Sequence, residues 1–360
     1  MKHVTSVILC CLFLSGCITD APYKLEPGSY DPEQLADGWV VGAAKDHGLD
    51  HDLLSEIQSA IHSEDQFYNT KSLLIARNGQ LVFETYVQDE DHRDIVGHVQ
   101  SVTKSVTSLA TGIALSQGLI DSLEQPAHLL LSQDLNLDED KREITIRDLL
   151  TMRSGLDIDN SIFSVEMYVR KPDDPIQYIL ELPLYDPPGE TYYYRDCDPH
   201  LMSSAIAEAS GMSLAAYVDH HLFEPLGISD YHWGTDPGGT SMGAHGLHLQ
   251  PRDMLKIGQL VLNKGSWSEE QLVDSTWISE STTLQIATPK PYGWDVGYYW
   301  WLIPEWNAFT AWGHGGNFIM ILPDHDMVVV LTSMADTNDD LVGSTLDKLE
   351  DLIRPLIESL

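Results

Sequence analysis

Basic residues are scarce in this chain: 20 lysines and arginines stand against 55 aspartates and glutamates, a formal charge of −35. Such a field repels polyanions, which excludes nucleic acid as a partner and excludes electrostatic docking on anionic lipid. The acidity is spread along the sequence rather than gathered in a tail, so solubility accounts for it, and a salty habitat would screen the self-repulsion. Cysteine is rare too. Of four in the chain, Cys10, Cys11 and Cys17 fall in the first seventeen residues and only Cys197 falls in the body. With the leader processed, no intramolecular disulfide can form despite an oxidising address. Long apolar runs are missing as well: the N-terminal one, Val7 to Leu14, is too short to cross a bilayer, and no later segment is long and apolar enough.

What the first residues offer instead is an export signal. MKHVTSVILCCLFLSGC places Lys2 before the apolar run and ends in Leu14-Ser15-Gly16-Cys17. Those last four residues resemble a bacterial lipobox, whose cysteine becomes the acylated first residue of the mature protein. Cys17 is therefore the expected lipid anchor, with an ordinary signal peptide cleaved nearby as the alternative. On either reading the protein is exported, and it meets a membrane only through the lipid. Pro22, Pro27, Gly28, Pro32 and Gly38 follow with no apolar period, so residues 18–47 are expected to form a tether.

A chain of 360 residues with 43% hydrophobic residues can bury a large core. The folded domain is expected over 48–360. A helix is expected from about Asp50 to Ser63, then β runs Ser72 to Arg77 and Leu81 to Val87 around the hairpin signal Asn78-Gly79. Val102, Val106, Leu109, Ile113 and Leu115 make a helical stripe from Ser101 to Gln117, ended by Gly118. Helices and loops follow from Asp121 to about Leu262. Further β runs are expected at Tyr298–Ile303, Phe309–Trp312, Phe318–Leu322 and Met327–Thr332, with a last amphipathic helix from about Leu341 to Ile357. The expected class is mixed α/β (α+β): an antiparallel sheet assembled from both chain ends, flanked by helices, with a mainly helical lobe over about 121–262 inserted.

Ser101-Val-Thr-Lys104 has S-x-x-K spacing, which at a helix start puts hydroxyl and ammonium on one face a turn apart. A serine hydroxyl is a poor nucleophile until a base takes its proton, and a desolvated lysine at the positive end of a helix can be that base. About one such match is expected by chance in a chain of average composition, so its context decides. This one opens a predicted helix and precedes two further elements in order.

On those elements the chain resembles the serine β-lactamase and penicillin-binding protein superfamily. The likeness is greatest to its class-C-like esterases and related hydrolases, 6-aminohexanoate-dimer hydrolases among them, and spans about residues 50 to 358. Ile144-Thr-Ile-Arg-Asp-Leu-Leu-Thr-Met-Arg-Ser-Gly-Leu156 looks like a family segment that packs the helical lobe on the core. Pro187-Pro-Gly-Glu-Thr-Tyr-Tyr-Tyr-Arg-Asp196 is similar to the segment that bears the motif tyrosine. By spacing that residue is Tyr194, with Tyr192 and Tyr193 as alternatives; the resemblance implies that its phenol shuttles the proton between serine and leaving group. A free phenol ionises near pH ~10, so it needs a cation such as Lys104 close by. Arg195 and Asp196 depart from the family's serine and asparagine. Asp196 can still hold Lys104, which would raise the lysine's pKa and move the base role toward Tyr194.

The third element, Trp312-Gly-His-Gly-Gly-Asn-Phe318, resembles the family's late glycine-bearing strand, with His314, Gly315 and Gly316 in the three motif places. The resemblance implies an oxyanion hole formed by the backbone N–H groups of Ser101 and Asn317, with Asp196, His314, Gly315 and Gly316 binding substrate. His314 replaces a lysine that greets a substrate carboxylate, which lowers the attraction for anions.

The implied activity is ester or amide hydrolysis of a small molecule through an acyl-enzyme on Ser101, with Lys104 and Tyr194 moving protons and neither metal nor organic cofactor required. A peptidoglycan D,D-peptidase or β-lactamase is the alternative, and a non-catalytic penicillin-binding-like lipoprotein the second. Two other signals are set aside. His245 and His248 lack a third metal ligand in their neighbourhood. Gly239-Thr-Ser-Met-Gly243 matches G-x-S-x-G, but without the strand before and helix after that a nucleophile elbow needs, so Ser241 reads as a loop residue.

Overall fold

Asn78 and Gly79 both take positive φ, 52° and 73°, the combination that a two-residue hairpin turn requires. They join β1 (Thr70–Arg77) to β2 (Gln80–Tyr86). The computed structural model describes residues 26–87, 90–131, 137–288, 294–334 and 348–360. The lipobox with Cys17, residues 18–25 of the expected tether and the opening of the expected last helix lie outside the described residues.

The C-terminal half supplies β3 (Asp295–Val296), β4 (Trp301–Ile303), β5 (Ala308–Gly313), β6 (Asn317–Leu322) and β7 (Met327–Ser333). These join the hairpin in one seven-stranded sheet of order β2-β1-β7-β6-β5-β4-β3, antiparallel throughout. The last strand in sequence thus lies beside the first, and the sheet is built from both ends of the chain as expected. β4 is shorter than its apolar run because residues 297–300 turn: Gly297 N–H donates to Trp300 O, and Tyr299 takes a positive φ.

Both faces of the sheet are covered, which explains why β1 reads as a continuous apolar run rather than an alternating one. Leu73 and Ile75 point to one face and pack with α1 (His51–Ser63) and the C-terminal residues Leu349, Leu352 and Leu356. Leu74 and Ala76 point to the other, where α2 (Val102–Ser116) and the helical lobe lie. Asp50 caps α1, its carboxylate accepting from Leu53 N–H at 2.8 Å. The lobe includes α3 (Cys197–Ser210), and α4 (Pro251–Leu262) follows it. A Cβ on Gly258 would meet Val328 Cγ1 at 2.4 Å and Ile319 Cγ2 at 2.8 Å, so glycine lets α4 lie directly on β6 and β7. Helix α4 therefore belongs to the sheet's own layer, and the inserted lobe closes before it rather than at residue 262.

Residues 26–47 differ from the expected tether. Tyr30 and Trp39 are buried, Leu81 N–H donates to Val40 O, and Gly42 N–H donates to Leu81 O. The segment is pinned from beneath by Arg252, which reaches Asp37 at 2.8 Å, Glu84 at 2.6 Å and Glu33 O at 2.9 Å. Proline and glycine spacing hides two aromatic anchors there, and the segment covers part of the exposed edge of β2.

Candidate active site

The short strand Gly97–His98 pairs with Leu247–Leu249 and delivers the chain to α2. The reversal is made at Gln100, whose φ of 55° is unusual for a residue with a side chain; such strain, of order 1–3 kcal/mol, persists only where neighbours fix it. They do so here. Gln100 N–H donates to His98 Nδ1 at 3.1 Å, and Gln100 O accepts from Thr103 Oγ1 at 2.7 Å. Ser101 then stands at the N-terminus of α2 with its hydroxyl unused in capping, and its N–H has no intrahelical acceptor.

One turn on, Lys104 is 2% exposed. Its Nζ lies 2.9 Å from Ser101 Oγ, 2.9 Å from Ala244 O and 2.7 Å from Asp196 Oδ1. Burial alone would lower the pKa of this ammonium, but Asp196 and then Tyr194 outweigh it, and the net shift is upward. A charged lysine donates to the serine oxygen and has no lone pair with which to take its proton.

Tyr194 shares the pocket with Ser101 and Asp196. The Lys104 ammonium is 5.0 Å from its ring centroid, and the ring stacks on Trp301 with centroids 5.7 Å apart. Of the neighbouring tyrosines, Tyr193 is 50% exposed beneath the Arg195 guanidinium, and Tyr192 lines a small inner cavity with Ser101, Lys104 and Tyr194. Asn160 ties the segment down. Its Oδ1 accepts from Asp196 N–H at 2.8 Å, and its Nδ2 donates to Tyr194 O at 3.3 Å. Sequence reasoning missed this residue, since a lone asparagine in a helical lobe carries no motif; the only local signal is Asp159, which caps the helix that Asn160 opens. Arg195 donates to Leu156 O, binding the tyrosine segment to the one that ends in Ser154-Gly-Leu156.

The third element divides. His314 is exposed at the rim and lines the pocket. Gly315 and Gly316, with φ of 83° and 91°, instead form the turn between β5 and β6. Gly315 O accepts from Asn69 Nδ2 at 3.2 Å and Lys348 Nζ at 3.4 Å. Asn317 does not line the pocket either, and its side chain joins His314 O to Ser333 N–H. The expectation placed the motif on an extended strand, but β5 ends at Gly313 and the next three residues turn. Gly313 is the position that presses on the loop before Ser101: a Cβ there would stand 2.2 Å from Val99 O. His314, the residue after Gly313, lines the pocket with Ser101, whereas Asn317 does not.

The pocket holds about 740 Å³. One wall is aromatic. Trp301 and Trp312 lie 5.3 Å apart at 64°, and Trp294 lies 5.2 Å from Trp312. The other carries His98, His245 and His248, and each is pushed below the ordinary histidine value by burial first, His98 and His245 to about 4. Among the described residues no group of three or more His, Cys, Asp or Glu is arranged to hold a metal ion. Ser241 is buried away from this pocket, and its hydroxyl accepts from Ala215 N–H.

The beta-lactamase family model matches residues 65–350. The chain belongs to the beta-lactamase family. Members of this family are serine hydrolases, and the chain is a beta-lactamase-fold hydrolase. An uncharacterized protein of Alkalihalophilus pseudofirmus is 26% identical over 303 residues, 72% of this chain and 82% of that protein. Among solved structures, a family VIII carboxylesterase superposes with TM-score 0.66 at 15% identity, covering 86% of this chain and 97% of that one. The octameric penicillin-binding protein homologue from Pyrococcus abyssi gives 0.66 at 19% identity, covering 83% and 77%. A Bacillus anthracis protein provisionally named a 6-aminohexanoate-dimer hydrolase gives 0.70 at 23%, covering 81% and 80%. At these identities the likeness to solved structures is one of fold.

Proposed function

We propose that this member of the beta-lactamase family is an exported serine hydrolase that cleaves uncharged esters or amides through an acyl-enzyme on Ser101. The observation that carries the reading is the Lys104 ammonium, 2.9 Å from Ser101 Oγ and 2.7 Å from Asp196, in a small cavity shared with Ser101 and Tyr194. Ser101 Oγ attacks the carbonyl carbon. Its proton passes to the Tyr194 oxygen as the phenol gives its own proton to the leaving group, beside the positive charge of Lys104. The N–H groups of Ser101 and of His314, the residue after Gly313, receive the oxyanion.

The walls support the choice of substrate. Trp301 and Trp312 offer apolar surface beside the nucleophile, and the buried Lys104 beside Ser101 is already paired with Asp196. A carboxylate, which β-lactams and D-Ala-D-Ala peptides carry, finds no lysine or arginine in that lining among the described residues. Export rests on the Met1–Cys17 leader, with Cys17 as the lipidated residue.

Turnover of a panel of p-nitrophenyl esters, nitrocefin and D-amino-acid amides by the native protein and Ser101→Ala tests the reading. Ester turnover that falls to background in the alanine variant supports it. Faster turnover of nitrocefin or the D-amino-acid amides moves the assignment to a β-lactamase or D,D-peptidase. Inertness toward all of them, with no fluorophosphonate labelling, leaves a non-catalytic lipoprotein.

A further inference from the structure

An acyl-enzyme must still be broken by water, and the group that activates this water need not be the one that activates Ser101. Lys104 is poorly suited, since it donates to Ser101 Oγ, to Ala244 O and into its contact with Asp196. We propose that His245 is the general base for deacylation, oriented by Tyr168 as a positioning residue. This rests on the acyl-enzyme reading of Ser101.

The placement follows from the backbone. Ala244 O is bound to the Lys104 ammonium at 2.9 Å, so the next residue starts beside the catalytic lysine, and its ring lines the pocket together with Ser101, Tyr194 and Asp196. The ring is held by Tyr168, which lines the same pocket, and by Phe163. His245 Nδ1 lies 3.0 Å from Tyr168 Oη, and Phe163 meets the ring edge-on at 6.5 Å. In the proposed step His245 takes the tautomer in which Nδ1–H donates to the phenol oxygen, which leaves Nε2 as the acceptor. The other imidazoles of this wall are tied to backbone and to each other: His98 Nδ1 accepts from Gln100 N–H, and His248 Nδ1 bonds Gly246 O while its ring packs between His98 and His232.

The charged and titratable groups that face His245 are Asp196, Lys104, His200 and Tyr168. Burial is the largest influence on it; Asp196 opposes that, while Lys104 and His200 add to it, so the imidazole is neutral above about pH 4 and ready to accept a proton. In the step itself, a water proton passes to Nε2 as the water oxygen bonds the acyl carbon. The C–Oγ bond then breaks, and Oγ takes a proton from the Lys104 ammonium. The imidazolium returns its proton to the lysine through pocket water, so one water is added across the ester and the acid departs.

The decisive comparison is the lifetime of the acyl adduct, followed by intact mass after p-nitrophenyl butyrate is mixed with native protein, His245→Gln and Tyr168→Phe. In His245→Gln the p-nitrophenol burst persists at one equivalent with its rate changed less than about threefold, while the adduct lives about 100-fold longer. Tyr168→Phe lengthens it about fivefold, in keeping with a lost orienting hydrogen bond of about 1 kcal/mol. Hydroxylamine, which needs no base, restores turnover of the glutamine variant, and the acid limb of deacylation near pH 4 disappears with the imidazole. The burst itself reports that the variant is folded. An adduct lifetime unchanged in His245→Gln, or a burst slowed as much as deacylation, overturns the proposal. Undiminished turnover by Ser101→Ala would overturn the acyl-enzyme reading instead.

Discussion

On the sheet side, the pocket over Ser101 is walled by Trp301 on β4 and Trp312 on β5, backed by Trp294 just before β3, while on the side of the small sheet it is walled by His98, His245 and His248. The tryptophans pack edge to face with centroids 5.2 to 6.5 Å apart, too close to enclose a cation between them, so they present an apolar surface that no pH change alters. The histidines differ in kind. Burial holds all three below their ordinary value, and each is one protonation from becoming a charge. On the proposed reading, one wall decides what binds, and the other decides where protons go. The Lys104–Asp196 pair and the Tyr194 phenol lie between them.

Removing the pair should have the largest effect. Lys104→Met takes away the ammonium at Ser101 and leaves Asp196 buried without its cation; kcat/KM falls at least about 1,000-fold, and stability falls by about 3–5 kcal/mol. Ester kinetics and denaturant melts read the two losses. Tyr194→Phe sharpens the division within one residue, since the ring belongs to the aromatic wall and the hydroxyl to the proton path. The variant keeps its stacking on Trp301, so KM shifts less than about threefold while kcat drops about 100-fold or more. A rise in KM with kcat intact would place Tyr194 wholly in the binding wall.

Trp301→Ala tests that wall directly. For aryl or long-chain esters kcat/KM falls about 10- to 100-fold, and for acetates only a few-fold. Equal losses across chain length would mean that the tryptophans shape the site without touching the acyl or alcohol group.

The histidine wall predicts a pH signature in stability. With folded values of about 4 for His98 and His245 against an unfolded value of about 6.5, the unfolded chain binds protons between these limits that the folded chain does not. The contribution is complete above pH ~6.5 and is lost as the pH falls toward about 4. Asp198, pushed up to about 6 by burial, works with the opposite sign, so the readout is a difference. The gap in melting temperature between pH 4.5 and 7.0 narrows in His245→Gln and stays as in the native protein in Trp301→Phe. His314→Lys should have the smallest effect, a few-fold gain on anionic esters that added salt removes.

Much of this was legible in the sequence where one pattern decides one element. Asn78-Gly79 dictated its hairpin, and the Val102 to Leu115 stripe its helix. Ser101, Lys104 and Tyr194 converge because helix periodicity and motif spacing both act over short distances. What stayed hidden depended on contacts between distant segments. Nothing local shows that Asn160 would clamp Asp196, that Trp39 would carry residues 26–47 onto β2, or that β5 would end at Gly313 and turn Gly315 and Gly316 away from the pocket. His245 illustrates the same limit. As a residue near His248 it suggested only a weak metal pair, and its place beside Lys104 comes from the Ala244 carbonyl.

The account turns on a covalent bond to Ser101, and mass spectrometry after a short incubation with a fluorophosphonate probe tests it most directly. One adduct per chain is expected, on the peptide that contains Ser101 and Lys104, and none in Ser101→Ala. An adduct that persists in the alanine variant, or that maps to Ser241, would contradict it.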